Sequence, residues 1–479
     1  MNQNTTPLYD ALVQFAAKKP VSFHVPGHKN GVFFPEKAAI HFQRLLELDV
    51  TELTGLDDLH DPTGCILEAE ELLADLYEVD ASYFLVNGST VGNLAMLFAV
   101  CKRNDIVLVQ RNCHKSIMHG LKLIGAHPVF LTPNIDIEAH VPTGVSAESV
   151  ACALLNYPQA KAVVLTHPNY YGMAQDITDI IQLAHSHSIP VLVDEAHGAH
   201  FCLGSPFPAS AIAYGADVVV QSAHKTLPAM TMGSYLHINS SLVKREHIKQ
   251  YLHMLQSSSP SYPIMASLDL ARYSLAKIKK EGIKELSSAL WHFHEKLSQI
   301  PQIKVIHKKE QDLLKMIIQT RCSLSGYELQ ALLEKKGLYT ELADPYNVLL
   351  VLPLSLSTAH LEAASLIRDA LRLFPVMDEN HNIPVHQPTL FSSLAISYED
   401  ADMLSEQIIP LTEASGQIAA EMILPYPPGV PIVMPGERIE SEHIEHIQML
   451  LEAGARFQGN ITLHTKTIRV YGTRKVKMK

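Results

Sequence analysis

The chain has 479 residues, with 38 Lys and Arg against 49 Asp and Glu for a formal charge of −11, and 47% of it is hydrophobic. That composition supports a large buried core and excludes a disordered chain, and the length suggests about two to four structural units of ~100–200 residues. The acidic balance argues against a general polyanion binder, because phosphate-dominated recognition needs clustered cations.

The first residues, Met1 to Pro7, lack the cationic region and apolar run of a secretory signal. No later stretch holds the roughly 18 uninterrupted apolar residues of a membrane span, so a cytoplasmic protein with no membrane or nucleic-acid partner is expected. Cys65, Cys101, Cys113, Cys152, Cys202 and Cys322 are dispersed without a C-x-x-C pair, which predicts reduced thiols and neither a zinc knuckle nor a disulfide framework. The 26 histidines are scattered, and the basic run Thr473 to Lys479 reads as a solvated tail.

From about residue 65 to 225, helical and strand patterns alternate. A helix starts at Ile66 with apolar positions Ala69, Leu72, Leu73 and Leu76, a spacing of three and four. Apolar runs then recur at Tyr83–Val86, Ile106–Val109, Pro128–Leu131, Ala162–Leu165, Pro190–Val193 and Asp217–Val220, with amphipathic stretches such as Ile177–Ser188 between them. This alternation predicts a mostly parallel sheet flanked by helices, with ligands beyond the carboxyl ends of the strands. The polar break Gln256 to Ser261 ends the region, and a helical tract runs from about Met265 to Ile300. Ile303–Leu373 reads as a smaller α+β unit, with a strand at Asn347–Leu352 and a helix at Leu361–Leu373. A loop rich in His, Pro and Asn from Asp378 to Pro388 leads into a C-terminal piece containing Pro425 to Pro431.

Four features at successive strand ends carry chemistry. Lys225, in Ser222-Ala223-His224-Lys225, follows the strand Asp217–Gln221; alone it is as well a surface lysine as a Schiff-base lysine whose ε-amine attacks an aldehyde. Asp194, in Asp194-Glu195-Ala196-His197-Gly198-Ala199-His200, ends a buried strand and must be paired. It can hold a pyridinium nitrogen protonated, so that the ring acts as an electron sink; a metal set of Asp194, His197 and His200 is the competing reading. Asn87-Gly88-Ser89-Thr90-Val91-Gly92-Asn93 joins a strand to a helix N-terminus that suits a phosphate, although Ser89 or Thr90 alone reads as a helix cap. His114, in Arg111-Asn112-Cys113-His114-Lys115-Ser116, is either a ring that stacks on an aromatic cofactor or an exposed capping residue. Together they describe a pyridoxal-phosphate pocket.

These motifs, with Phe23-His24-Val25-Pro26-Gly27-His28-Lys29, Leu56 to Pro62 and Pro425 to Glu437, resemble in order the ornithine/lysine/arginine decarboxylase family. The likeness spans nearly the whole chain and is closest to the short bacterial arginine/lysine decarboxylase-like branch. It implies the α/β fold type I of pyridoxal-phosphate enzymes, with smaller α+β C-terminal units. The expected division is an N-terminal arm at 1–30, a large cofactor-binding domain at 31–300, a small α+β domain at 301–376 and a C-terminal family domain at 377–479.

By resemblance, Lys225 joins the cofactor, Asp194 pairs with its ring nitrogen and His114 stacks on the ring. Ser89, Thr90 and Ser222 hold phosphate, Ala196 packs on the opposite face and His197 lies near the phenolic oxygen, where some members place tryptophan. His224 contacts phosphate or assists proton transfer, and Ser258 and the Pro26–Lys29 loop reach a neighbouring subunit of a homodimer. The implied activity is decarboxylation of arginine, lysine or ornithine to agmatine, cadaverine or putrescine, in polyamine biosynthesis, with arginine slightly ahead by resemblance alone. Alternatives are another pyridoxal-phosphate lyase or aminotransferase, with an α-carboxylate clamp from Arg438, Arg456 or Arg469, and a silent regulatory homologue. Asp57, Asp58, Glu341, Asp344 and Glu437 are candidates for the substrate's distal cation, and each reads equally as a cap or surface charge.

Overall fold

The computed structural model describes residues 1–377, 389–426, 430–452, 456–457 and 462–474. The loop Asp378 to Pro388 and residues 427–429 of the Pro425–Pro431 motif lie outside them. The chain divides into two compact units, Met1–Val100 with Leu192–Ser288, and Cys101–Val191 with Ala289–Lys479.

In the first unit, Ala81–Leu85, Ser234–Ile238, Val218–Gln221 and Val191–Asp194 lie side by side. The first two pairings are antiparallel and the last is parallel. These strands are buried along their length, which is why they read as continuous apolar runs rather than alternating ones. Ser234–Ile238 is a strand that the sequence pattern did not reveal. The predicted helix at Ile66 spans Cys65–Tyr77, and Ala69, Leu72, Leu73 and Leu76 all face the core. The helix Gly88–Val100 lies close on the sheet: a Cβ at Gly92 would stand 2.7 Å from Leu85 Cδ1 and 2.8 Å from Val220 Cγ1.

The N-terminal helix Pro7–Ala17 buries Leu8 and Leu12. Asp269 Oδ2 accepts the N–H groups of Leu8 and Tyr9, while Arg272 donates to the carbonyls of Gln3 and Thr5 and pairs with Asp269 Oδ1 at 2.7 Å. The long helical tract begins earlier than its pattern suggests, at Tyr262, and a π-helical turn at Ile278–Gly282 divides it from Ile283–Ser298.

The second unit carries the parallel strands Ala162–Thr166, Ile106–Gln110 and His127–Leu131, with Phe391–Ser393 antiparallel at the edge. A separate antiparallel sheet runs Ile303–Ile306, Lys315–Thr320, Asn347–Val351, Leu342–Ala343. It is accompanied by the helices Gly326–Glu334, started by a Ser325/Glu328 capping box, and Thr358–Leu371. A third cluster packs Ala419, Ile423, Val433, Ile439, Ile447, Ile468 and Val470, fed by the strand pair Leu404–Pro410 and Thr467–Arg474 and the helix Ser441–Glu452. None of the six cysteines forms a disulfide, and among the described residues no helix is long and apolar enough to cross a membrane.

Candidate active site

The strand Val191–Asp194 ends on Asp194, which is 3% exposed. Asp194 Oδ2 accepts Asn93 Nδ2–H at 2.8 Å and Oδ1 accepts the Ala196 N–H at 3.1 Å. Each carboxylate oxygen keeps further acceptor capacity, so the group can also accept from a protonated ring nitrogen.

Beside it, the strand Val218–Gln221 runs into Ser222 and the single turn Ala223–Thr226. Ser222 Oγ is 2.6 Å from Ser89 Oγ, which donates to Ser234 Oγ at 3.2 Å. Three hydroxyls thus meet at the start of the helix Gly88–Val100, where free N–H groups and the positive end of the helix dipole favour an anion. Gly88 sits at φ +75°, a left-handed conformation that glycine adopts without strain and that turns the chain from strand into helix. Its N–H is taken by the Met232 carbonyl.

Lys225 Nζ lies 3.1 Å from His197 Nε2, and His197 is 6% exposed. His224 Nδ1 is 3.0 Å from the Gly233 carbonyl and must donate to it. Thr226 Oγ1, next to the lysine, is buried with no partner among the described residues, a hydroxyl that a bound ligand or water would satisfy. Three serine hydroxyls with helix amides, a buried carboxylate and a half-buried amine match the phosphate, ring nitrogen and aldehyde of pyridoxal phosphate. The first unit therefore fits that cofactor.

The structure brings together Ser89, Ser222, Asp194, His197 and Lys225 from the predicted set, and adds Ser234 and Asn93. A buried asparagine four residues after Ser89 in an apolar helix is a signal that sequence could have yielded; Ser234 carries none. Thr90 is exposed, Ala196 is half-buried, and Ser258 stands exposed between the helices Arg245–Leu255 and Tyr262–Lys277. His114, in the second unit, is the exposed N-cap of the helix Lys115–Ile124, its Nδ1 accepting from Ser116 N–H. Of the competing metal set, Asp194 and His197 are engaged as above, and His200 lies edge-on to the rings of Phe201 and Phe207.

The candidate substrate carboxylates have partners of their own. Asp57 caps the helix Cys65–Tyr77 through the N–H groups of Thr63, Gly64 and Ile66. Asp58 accepts from His60 N–H, Glu341 from Tyr170 Oη–H, and Asp344 from Tyr171 Oη–H and Asn347. Glu437 is gripped by Arg111 through two bonds of 2.9 and 2.6 Å. Arg438 donates to the Gly416 carbonyl and Arg469 pairs with Glu406.

The α/β fold and the site define a fold type I protein of the kind that pyridoxal-phosphate enzymes share. A serine palmitoyltransferase solved with PLP covers 70% of this chain and 82% of its own at TM-score 0.54 and 17% identity. The family model for the Orn/Lys/Arg decarboxylase major domain matches residues 6–319, and that for the family's C-terminal domain matches residues 392–465. An uncharacterised Bacillus subtilis protein, YaaO, is 46% identical over 97% of this chain and 98% of its own. An arginine decarboxylase of the same organism is 36% identical over 97% and 98%. The structure of the Escherichia coli constitutive lysine decarboxylase superposes with TM-score 0.77 at 20% identity, covering 98% of this chain and 82% of that one. The chain belongs to the Orn/Lys/Arg decarboxylase family and is an amino-acid decarboxylase.

Proposed function

We propose that this chain decarboxylates a basic amino acid, arginine first, to agmatine and CO₂ with pyridoxal phosphate as cofactor. The observation that carries the reading is Lys225 and Asp194 beyond the carboxyl ends of neighbouring strands, with the Ser89–Ser222–Ser234 hydroxyls meeting at the first residue after one of them. Arginine is preferred because the arginine decarboxylase of B. subtilis is 36% identical over nearly its whole length.

When bound, pyridoxal phosphate would supply an electron sink for the Cα–carboxylate bond that breaks. Asp194 would accept a hydrogen bond from the protonated ring nitrogen and so hold its positive charge in place, while Asn93 keeps the carboxylate oriented. Ser89, Ser222 and Ser234 would hold the phosphate, with Thr90 as a further phosphate contact and Ser258 reaching the neighbouring subunit's cofactor. Lys225 carries the amine, His197 accepts from its Nζ, and Lys225 or His224 returns a proton to Cα after CO₂ departs. Ala196 and His114 keep their sequence-based assignments to the two ring faces.

The same proposal includes a cytoplasmic homodimer with shared sites and the division at 30, 300 and 376. The exposed apolar side chains of Phe23 (92%), Val32 (87%) and Ile40 (87%) support a partner subunit over the N-terminal segment. The test is to incubate the cofactor-loaded protein with arginine, lysine and ornithine separately and to follow CO₂ and amine together. Both products from arginine are expected. Products only from lysine or ornithine would reassign the substrate, and a keto acid or silence on all three would overturn the decarboxylase reading.

A further inference from the structure

Glu195 and Gly198 complete the motif that begins at Asp194, and no step above uses either. Glu195 is 0% exposed. Its Oε2 accepts Ser210 Oγ–H at 2.7 Å and Gln221 Nε2–H at 2.6 Å, and its Oε1 accepts the Ala211 N–H at 2.7 Å. All three partners donate.

The polarity continues outward. Gln221 turns its amide nitrogen to Glu195 and its Oε1 to His237 Nε2, 3.1 Å away, so His237 donates from Nε2. Nδ1 of His237 then accepts Ser82 Oγ–H at 2.8 Å. Burial holds His237 far below its usual range, at about 3, in keeping with a neutral ring of one tautomer. Every bond from Ser82 to Glu195 therefore points its donor at the carboxylate, an order in which each dipole reinforces the next. Burial raises the Glu195 carboxyl to about 7, against the pull of Ala211, Ser210 and Gln221, so the three donors face a full charge above that pH. Gly198 leaves room for this arrangement: a Cβ there would stand 2.6 Å from Glu195 Cγ. Its N–H closes the turn on the Glu195 carbonyl, and Glu195 N–H bonds the Val220 carbonyl.

We propose that Glu195 is a positioning residue for the decarboxylase site, the anionic anchor that locks two neighbouring strand ends in the register the cofactor needs. The Glu195–Gln221 bond joins the residue after Asp194 to the residue before Ser222. Ring-nitrogen acceptor and phosphate donor are thereby held at a fixed separation, and Ser210 and Ala211 tie down the far end of the loop that carries His197. This inference rests on the cofactor reading proposed above.

Glu195→Gln keeps the shape and removes the charge. Pyridoxal phosphate is titrated into wild type and variant, with affinity read by equilibrium dialysis, the visible Lys225–cofactor band recorded against pH, and unfolding followed on the apo-protein. The dissociation constant should rise at least about tenfold, the weight of a charge-assisted hydrogen bond, and the band's pH midpoint should shift. Gln221→Met cuts the same bond from the other side and should weaken binding in the same direction. The double variant should bind no worse than Glu195→Gln alone. If Glu195→Gln does not fold, Gln221→Met and Ser210→Ala carry the test. Wild-type affinity and an unshifted band in the folded variants, whatever their melting temperature, would overturn the positioning role. A wild-type chain that forms no band with the cofactor would instead sink the cofactor reading, and this inference with it.

Discussion

Glu437→Gln separates two roles that sequence left open for this carboxylate, recognition of a substrate cation and internal pairing. In the structure Glu437 accepts two bonds from Arg111, one from Ser392 Oγ–H at 2.6 Å and one from Met434 N–H at 2.7 Å. The side chains of Arg111 and Glu437 are 7% and 4% exposed. Arg111 also donates to the Pro431 and Ile432 carbonyls, so the pair fastens the C-terminal segment to the end of the strand Ile106–Gln110. Removing one member of a buried pair leaves the other charge uncompensated, a loss of about 3–5 kcal/mol. Replacing both members with apolar residues of similar size, Arg111→Met with Glu437→Leu, should recover much of it. Burial alone would raise the Glu437 carboxyl, but the Arg111 guanidinium, Ser392 and Met434 N–H outweigh it and hold it below its ordinary value. A depressed carboxylate stabilises above its unfolded pKa, and that stability is lost as pH falls through the folded pKa. The gap between wild type and variant should therefore be full at pH 7 and close below about pH 4. Urea denaturation followed by circular dichroism across that range measures it. A Glu437→Gln protein of wild-type stability with a raised KM for the basic amino acid alone would refute the reasoning and return Glu437 to the substrate.

Lys225→Ala should abolish the visible cofactor band while leaving the circular dichroism unchanged, and a persisting band would move the attachment point elsewhere. Ser234→Ala, which removes a hydroxyl 3.2 Å from Ser89 Oγ, should weaken cofactor binding by roughly three- to tenfold, read by dialysis. Gly92→Ala drives a methyl to 2.7 Å from Leu85 Cδ1 and should destabilise the fold by about 1–3 kcal/mol in urea titrations, a loss that vanishes if those side chains give way freely. Burial raises the Glu70 carboxyl to about 8, well above its unfolded value, against the pull of the Phe84 N–H. Its contribution is whole below the unfolded pKa and is lost as pH rises through the folded one, so wild-type stability should fall between about pH 5 and 8. Glu70→Gln should flatten that slope in urea midpoints taken across the range.

Much of the fold is legible in the sequence because its signals are local. Strands buried on both faces appear as unbroken runs such as Val191–Val193 and Val218–Val220, and the spacing of Ala69, Leu72, Leu73 and Leu76 announces a helix without reference to any partner. The strand-end rule then places Lys225 and Asp194 beside each other before any coordinate is known. Gly88 and Ser89 are readable for the same reason, since a strand leading into a helix needs a turn and a cap.

What tertiary structure alone decided are the pairings between distant segments. The strand Ser234–Ile238 inserts antiparallel between Ala81–Leu85 and Val218–Gln221, and that insertion, not any spacing, brings Ser234 to Ser89. Asn93 meets Asp194 only because Gly92 lets its helix close on the sheet. Glu195, Gln221, His237 and Ser82 form one buried chain although they come from three strands and the turn after a fourth. Glu437 turns from a free charge into the partner of Arg111. Sequence states which residues must be buried or must turn the chain; which buried polar group answers which is fixed by long-range pairing, where an unanswered donor or charge is too expensive to leave in the core.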